Sequence, residues 1–520
     1  MNLISRISTE KNIKMGIVLS YLTLLINVII SIIYTPFLLT HIGQSQYGLN
    51  SFVTSITSWF TVLSSALVSS YIRFATRESA KTNDQSARTV NSAYFIIFSA
   101  ISFFIMIFGT ILFFVMKYAI LPNSVYADNH DSIHIILILT IISLLSIVIS
   151  VPGNLFGLYN NWKQKFVVTK GIALLVNILQ PICTIPFLLL GCDVIVVTII
   201  QLVFTVIGIV LHLISSVKLF GFGFSKSLKL INKSLLKEIL IFSSFIILNS
   251  LVDQINSSAD KTILGFMVKD DARSVAIYQA GMIFKNYLLI LSVSISSAFA
   301  TKINEAVVDN NTDRVNAIFR KVSKIQIILI LFIVGGFATF GQSFVDLWLG
   351  EDYSMSFYVA LILFVLSSIP YTENVSIEVQ RAMNKHKFRA LLYVCIALTN
   401  IALTIILVAV LDKSLAIWAC LIGTAFASIV GHWIIINVYN AKVIKLDIKG
   451  YFFDLLKTLI AVCVCFGLTK GALLISNITD NVISLFSSLI IYVSLYFAYS
   501  LLFERKFISS FFKKGAIEQL

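Results

Sequence analysis

Apolar runs recur about fourteen times along this chain, each near the ~20 residues a helix needs to cross a ~30 Å hydrocarbon core. They lie at 15–40, 49–72, 92–116, 133–158, 166–190, 194–217, 236–256, 275–299, 322–341, 356–380, 388–411, 414–438, 452–469 and 481–503. The gaps between them are short, none much longer than about twenty residues, so no separate soluble domain fits between the runs. The pattern predicts an all-α polytopic membrane protein whose work is done by its helices and their turns.

The charges give these runs a direction. Every other gap is basic: Arg6, Lys11 and Lys14 precede the first run, Gly43–Tyr47 carries no charge, and Arg73, Arg77, Lys81 and Arg88 follow the second run. Summed along the chain, one side holds 31 Lys and Arg and the other holds 6, with Lys170 and Lys285 inside runs. The positive-inside rule then predicts an even number of spans with both termini in the cytoplasm of a bacterial inner membrane.

Composition adds little to that picture and removes several alternatives. Hydrophobic residues are 58% of the chain and charged residues 12%. The net charge of +14 follows from the topology and from attraction to anionic lipid, so it does not point to a nucleic-acid partner. The six cysteines lie mostly in apolar runs, form no metal-type quartet and read as small core residues. The first run is too long for a cleavable signal peptide. There is no phosphate-binding loop of either common glycine-rich type, and Gly221-Phe-Gly223 matches neither.

The chain repeats itself at an offset of about 222 residues. Gly43 corresponds to Gly265, Tyr47 to Tyr278, and Arg88-Thr-Val-Asn91 to Arg314-Val-Asn316. The turn Tyr159–Phe166 faces Arg381–Phe388, with Asn177 and Asn400 in the helices that follow. Six spans per repeat is an even number, so both halves enter the membrane the same way, as in transporters built from parallel repeats. The expected organisation is a cytoplasmic tail at 1–14, a six-helix bundle at 15–217, a cytoplasmic linker at 218–235 and a second bundle at 236–438. Helices 13 and 14 then occupy 439–503, and a cytoplasmic tail 504–520.

Polar residues inside the runs mark candidate chemistry. Ser20, Thr23, Asn27, Ser31 and Tyr34 share one face of the first helix, and Asn249, Asp253, Asn256 and Asp260 one face of the seventh. At the repeat offset Asn27 matches Asn249 and Ser31 matches Asp253, as expected if both helices line a wet passage. Interhelical hydrogen bonding, worth about 0.6 kcal/mol per contact, is the plainer explanation for Asn27. A carboxylate at depth costs roughly 2.5–3.5 kcal/mol, which favours function for Asp253. Lys285, beside Asn286, lies about ten residues into the eighth helix, too deep for easy snorkelling. Pro370-Tyr-Thr-Glu373-Asn374 in the tenth helix and Val151-Pro152-Gly-Asn154 in the fourth suggest interrupted helices, and Glu373 is a candidate ion or proton site. His212 and His432 read as structural.

Several motifs carry a resemblance: Thr35-Pro-Phe-Leu-Leu-Thr-His-Ile-Gly43 with Tyr47-Gly48, then Asp260-Lys, Leu264-Gly265, Tyr278-Gln-Ala280, Trp348-Leu-Gly350, Gln380–Lys385 and Ile417–Thr424. With these the chain resembles the Wzx-type oligosaccharide flippases of the multidrug/oligosaccharidyl-lipid/polysaccharide exporter superfamily. The resemblance spans nearly the whole chain, through short and degenerate motifs. It implies a MATE-like fold of two six-helix bundles plus two C-terminal helices. It also implies alternating access and an undecaprenyl-diphosphate-linked oligosaccharide as substrate, serving O-antigen, capsule or exopolysaccharide synthesis beside a polymerase and a chain-length regulator. On that reading the lumen residues are Asn27, Ser31, Arg73, Asn249, Asp253, Asn256, Lys285 and Asn286, with Arg73 and Lys285 holding the diphosphate. Asp253 and Glu373 would couple protons or sodium ions, and no catalytic residue, metal or cofactor is implied. One departure stands out: the family's lumen is strongly cationic, and here a single lysine is deep.

Other functions fit parts of the pattern. A cation-coupled multidrug antiporter of the same fold would use a lumen of carboxylates and aromatics. A membrane polymerase, ligase or glycosyltransferase would need an outer cluster of acidic or histidine residues, which the gaps at 117–132 and 257–274 lack. A scaffold in an assembly complex would leave flipping intact in its absence.

Overall fold

A computed structural model describes residues 3–79, 84–225, 233–270, 272–383, 385, 387–476, 481–505 and 507; a few side chains inside helices, those of Ser20 and Asn249 among them, lie outside the description. The fold is helical throughout, with no strand among the described residues. In chain order the helices are α1 (Leu3–Thr57), α2 (Thr61–Ser79), α3 (Asp84–Val115), α4 (His130–Trp162), α5 (Phe166–Leu189) and α6 (Val194–Ile214). There follow α7 (Lys233–Met267), α8 (Arg273–Ala298), α9 (Ala300–Val308), α10 (Thr312–Leu349), α11 (Ser354–Thr372) and α12 (Val375–Ala382). The chain closes with α13 (Lys387–Val410), α14 (Ala416–Ala427), α15 (Asn437–Tyr439), α16 (Ile448–Ile475) and α17 (Asn481–Phe503).

Twelve stretches among the described residues are long and apolar enough to cross a membrane. The first, Leu25–Ser79, covers two expected spans, because α1 runs on past their expected boundary at Gly43 and meets α2 across a single 3-10 turn. Within α1 the backbone leaves helical geometry at Gly43, where φ is 77° and ψ 165°, a conformation glycine adopts without a Cβ penalty. The expected span 236–256 lies in α7, several of whose side chains fall outside the description. Large side chains such as Phe103, Phe104, Phe108 and Ile111 stand exposed along α3, as a lipid-facing helix requires. Cys183, Cys395 and Cys463 are exposed as well, so the reading of all the cysteines as core is corrected; inside a bilayer the outer surface of a helix is also apolar.

Side-chain caps define several helix starts. Asn129 accepts from Ser132 N at 3.1 Å, Asp193 from Ile195 N at 3.1 Å and Asn311 from Arg314 N at 2.9 Å. The two proline segments behave differently. At Pro370 the helix does break, with α11 ending at Thr372 and α12 starting at Val375. At Pro152 the expected interruption is absent and α4 runs straight through. The Val148 carbonyl, which Pro152 cannot serve, accepts instead from Ser102 Oγ at 2.6 Å.

The chain divides into two compact units, Met1–Ala276 and Ile277–Leu520. The core of the first gathers Leu67, Tyr71, Phe74, Tyr94, Phe98 and Leu155, with Ile239 from α7. In the second, Ile318, Phe319 and Ile327 of α10 share a core with Tyr451 of α16 and Tyr492 of α17. The last two helices are thus packed into the second unit through α10.

Candidate functional site

In the first unit α7 is polar on two faces. One forms a hydrogen-bonded seam: Ser70 Oγ lies 3.1 Å from Ser243 Oγ and 2.8 Å from Tyr94 OH. Further along, Gln254 Nε2 donates to Ser58 and Ser258 at 2.6 Å, and Ser55 meets Thr262 at 2.9 Å. At one end of the seam Arg77 binds Glu238 through both guanidinium nitrogens, Nη2 to Oε2 at 2.9 Å. The other face presents Asp253 and Asn256, both exposed.

Asn27 of α1 is half-buried and accepts from Asn177 Nδ2 of α5 at 3.0 Å. Ser31, one turn on, lies 3.4 Å from Thr35. Arg73 is exposed and stacks its guanidinium 4.2 Å from the centroid of Phe242. The expected contributions of Ser20 and Asn249 fall outside the described side chains.

Three further sequence candidates belong to the second unit. Lys285 is partly buried on α8 and lies within electrostatic reach of His432, while its neighbour Asn286 is exposed. Glu373, at the break between α11 and α12, is fully buried. Around it stand groups that the sequence pattern had not singled out. Arg389, which the charge alternation reads as one of the cytoplasmic loop cations, is inside α13 and only 5% exposed; its Nε donates to Tyr393 OH at 2.8 Å and its Nη1 to Ser376 Oγ at 3.3 Å. Gln380 donates to Asn440 Oδ1 at 2.6 Å, and Asn437 donates to the carbonyls of His432 and Trp433 at 3.3 and 3.2 Å. The signal in the sequence was the isolated amides of α12 to α15, set in otherwise apolar runs.

An apolar cavity of about 350 Å³ lies in the same unit, walled by α8, α10, α11 and α17. Phe284, Tyr287, Phe332, Phe337, Phe340 and Tyr492 give it an aromatic lining. Lys285 follows Phe284 on α8, about 100° around the helix from it, and is not among the residues that line the cavity.

Outside the spans, carboxylates fasten the last helices to this unit. The backbone N–H of Gly450 at 2.9 Å, together with the Arg320 guanidinium, holds Asp447 below the ordinary carboxylate range. Burial pushes Glu504 upward, but hydrogen bonds from Lys324 at 2.8 Å and Lys457 at 2.7 Å outweigh it and leave the group below its usual range.

Comparison with known proteins agrees with this architecture. A family model described as polysaccharide biosynthesis protein matches residues 13–303, more than half of the chain. Among solved structures, the lipid II flippase MurJ in an inward-closed conformation aligns over 95% of this chain and 99% of its own, with a TM-score of 0.70 and 16% identity. An inward-facing multidrug resistance MATE family transporter of the MOP superfamily aligns over 77% of this chain and 92% of its own, at TM-score 0.59 and 14% identity. A MOP superfamily transporter from Pyrococcus furiosus aligns over 83% and 94%, at TM-score 0.53 and 14% identity. No curated protein sequence matches the chain. At these identities the structures speak for fold, and the family model for kinship: the chain belongs to the polysaccharide biosynthesis protein family and has the MurJ- and MATE-type transporter fold.

Proposed function

We propose that the protein flips an undecaprenyl-diphosphate-linked oligosaccharide from the cytoplasmic to the outer leaflet of a bacterial inner membrane by alternating access. Both termini lie in the cytoplasm, and the lipid-linked unit passes to a polymerase that builds O-antigen, capsule or exopolysaccharide. The observation that supports this reading is the match to the polysaccharide biosynthesis family model over residues 13–303, joined by a partly buried lysine, Lys285, on the helix that also lends Phe284 and Tyr287 to the aromatic cavity. A polyprenyl diphosphate is a long apolar chain ending in a dense anion. An apolar cavity and an ammonium on another face of the same helix offer the two halves a partner each, the first by burial and the second by charge. The cavity has room for a few isoprene units, so most of the tail stays in lipid. Arg73 and the amides Asn27 and Asn256 serve the head group and sugars.

The test uses a strain that lacks this protein and displays no surface polysaccharide until it is restored. Lys285→Ala abolishes display at matched protein level, and Lys285→Arg keeps part of it because the charge survives without the compact ammonium. Equal display by both variants removes Lys285 from the site. Export of cationic dyes by the purified protein, unaffected by Lys285→Ala, decides for a drug antiporter instead.

A further inference from the structure

We propose that the turn between α4 and α5 holds the headgroup of an anionic phospholipid in the leaflet that the basic gaps face; the proposal is independent of what the protein transports. The turn has a fixed shape. Lys163 N donates to the Tyr159 carbonyl and Lys165 N to the Asn160 carbonyl, both at 2.9 Å, and Gln164 between them takes a positive φ of 58°. Tyr159 OH donates to the Phe220 carbonyl at 3.0 Å, and Asn160 Nδ2 to Ser215 Oγ at 2.9 Å. These bonds tie the turn to the segment that follows α6 and set the positions of both lysines.

The ammonium groups rest on rings. Lys163 Nζ lies 4.4 Å from the Trp162 ring centroid and 5.7 Å from that of Tyr159, and Lys165 Nζ lies 5.5 Å from that of Phe220. Neither ammonium makes a hydrogen bond or ion pair with another described residue. An ammonium carries three N–H donors and a ring face takes one side of it, so donors remain for an oxyanion. A third cation borders the same segment: a Cβ at Gly223 would meet Arg88 Nε at 3.4 Å. Between Pro152 and Ser225 the sole carboxylate is Asp193. It caps α6 beyond the far end of the 24-residue α5, about 36 Å from the turn.

The neighbouring surface selects a lipid over a soluble anion. Ile214, Val217 and Leu219 are exposed in the stretch leading to Phe220, so acyl chains have an apolar wall up to the level of the lysines. The repeat supplies a contrast. Lys163 and Lys165 correspond to Lys385 and Lys387 in the turn between α12 and α13. There Lys385 Nζ donates to the Val443 carbonyl at 3.1 Å, and Arg381 pairs with Glu378 at 2.9 Å. The second half spends these cations on its own chain; the first keeps them for a headgroup.

Full-length protein in liposomes of phosphatidylcholine and phosphatidylglycerol tests the site. Acyl chains brominated near the headgroup quench tryptophan on contact, and the difference between wild type and Trp162→Phe isolates Trp162. With the two lipids in equal amounts, bromine on phosphatidylglycerol quenches Trp162 several-fold more than bromine on phosphatidylcholine. Lys163→Gln with Lys165→Gln abolishes that preference, whereas Lys385→Gln with Lys387→Gln leaves it intact. Equal quenching by the two lipids, a preference that survives the first pair, or one lost equally with the second pair overturns the site. Displacement by inorganic phosphate overturns it too, since a soluble anion is then the ligand. As an independent readout, added phosphatidylglycerol raises the unfolding midpoint of the detergent-solubilised wild type more than that of the Lys163/Lys165 pair; an equal rise refutes the assignment.

Discussion

Ser102 donates its hydroxyl to the carbonyl of Val148 at 2.6 Å, the one carbonyl in α4 that Pro152 leaves without an intrahelical donor. The second unit solves the same problem twice over, with Ser428 Oγ at 3.2 Å and Trp433 Nε1 at 3.1 Å on the Leu366 carbonyl, four residues before Pro370. Ser102→Ala exposes a bare carbonyl in the bilayer and lowers stability by about 1–3 kcal/mol. In a Pro152→Ala background the helix regains its own N–H, and the cost of Ser102→Ala falls below about 0.5 kcal/mol. Thermal unfolding in detergent of the four proteins in this cycle measures the difference; equal costs in both backgrounds refute the account.

The repeat predicts a second pair of effects. Asn91 Nδ2 donates to the Gly223 carbonyl at 3.1 Å, and Asn316 Nδ2 donates to the Lys445 carbonyl at 3.1 Å, each closing its bundle just past the last helix. Asn91 is buried and also accepts from Tyr71 OH at 2.6 Å, whereas the Asn316 pairings lie open to water. Asn91→Ala therefore costs about 2 kcal/mol and Asn316→Ala less than about 1 kcal/mol. Unfolding temperatures at equal detergent concentration rank them, and the reverse order would contradict the burial argument.

These pairings show what could be read from the chain alone. Asn91 and Asn316 stood at matched offsets, and each donates its side-chain amide to a backbone carbonyl more than 120 residues later, one buried and the other open to water. The helices themselves were legible in the same way, since length and apolarity decide whether a segment crosses lipid. The Pro152 interruption was misread, because its remedy comes from Ser102, some fifty residues earlier in the chain. The surroundings of Glu373 were hidden for a like reason: Arg389, Gln380, Asn437 and Asn440 meet only when three separate helices fold around them.

Glu504 makes stability depend on acid. Its side chain is 2% exposed and receives both Lys324 and Lys457, so its folded value lies below its unfolded one. The contribution is therefore complete above the unfolded carboxylate range and is lost as pH falls through the depressed folded value. Glu504→Gln removes about 2 kcal/mol at neutral pH, leaving Lys324 and Lys457 with only the more distant Asp454, and flattens the acid limb of the stability curve. An unchanged pH profile in that variant, followed by thermal unfolding between neutral and acidic buffers, rules out this carboxylate as the source.

Asn27 separates packing from transport. Its bond to Asn177 is worth about 0.6 kcal/mol if it only joins α1 to α5. Asn27→Ala then shifts unfolding slightly but reduces polysaccharide display several-fold at matched protein level, because a sugar loses its amide partner. Display that falls only in proportion to protein abundance assigns the residue to packing alone.

The polar residues of α7 have a consequence for how the chain is made. Asp253, Asn249, Asn256 and several serines make its entry into lipid costlier than that of a run of leucine and isoleucine alone. It enters lipid in the company of α1 and α2, whose hydroxyls are already in place to receive it. Synthesis order supplies that company, since both precede it on the ribosome. Should α7 stay behind in the cytosol, every later helix would thread in reverse and carry its lysines to the wrong face; the seam of hydroxyls is thus also a guarantor of topology.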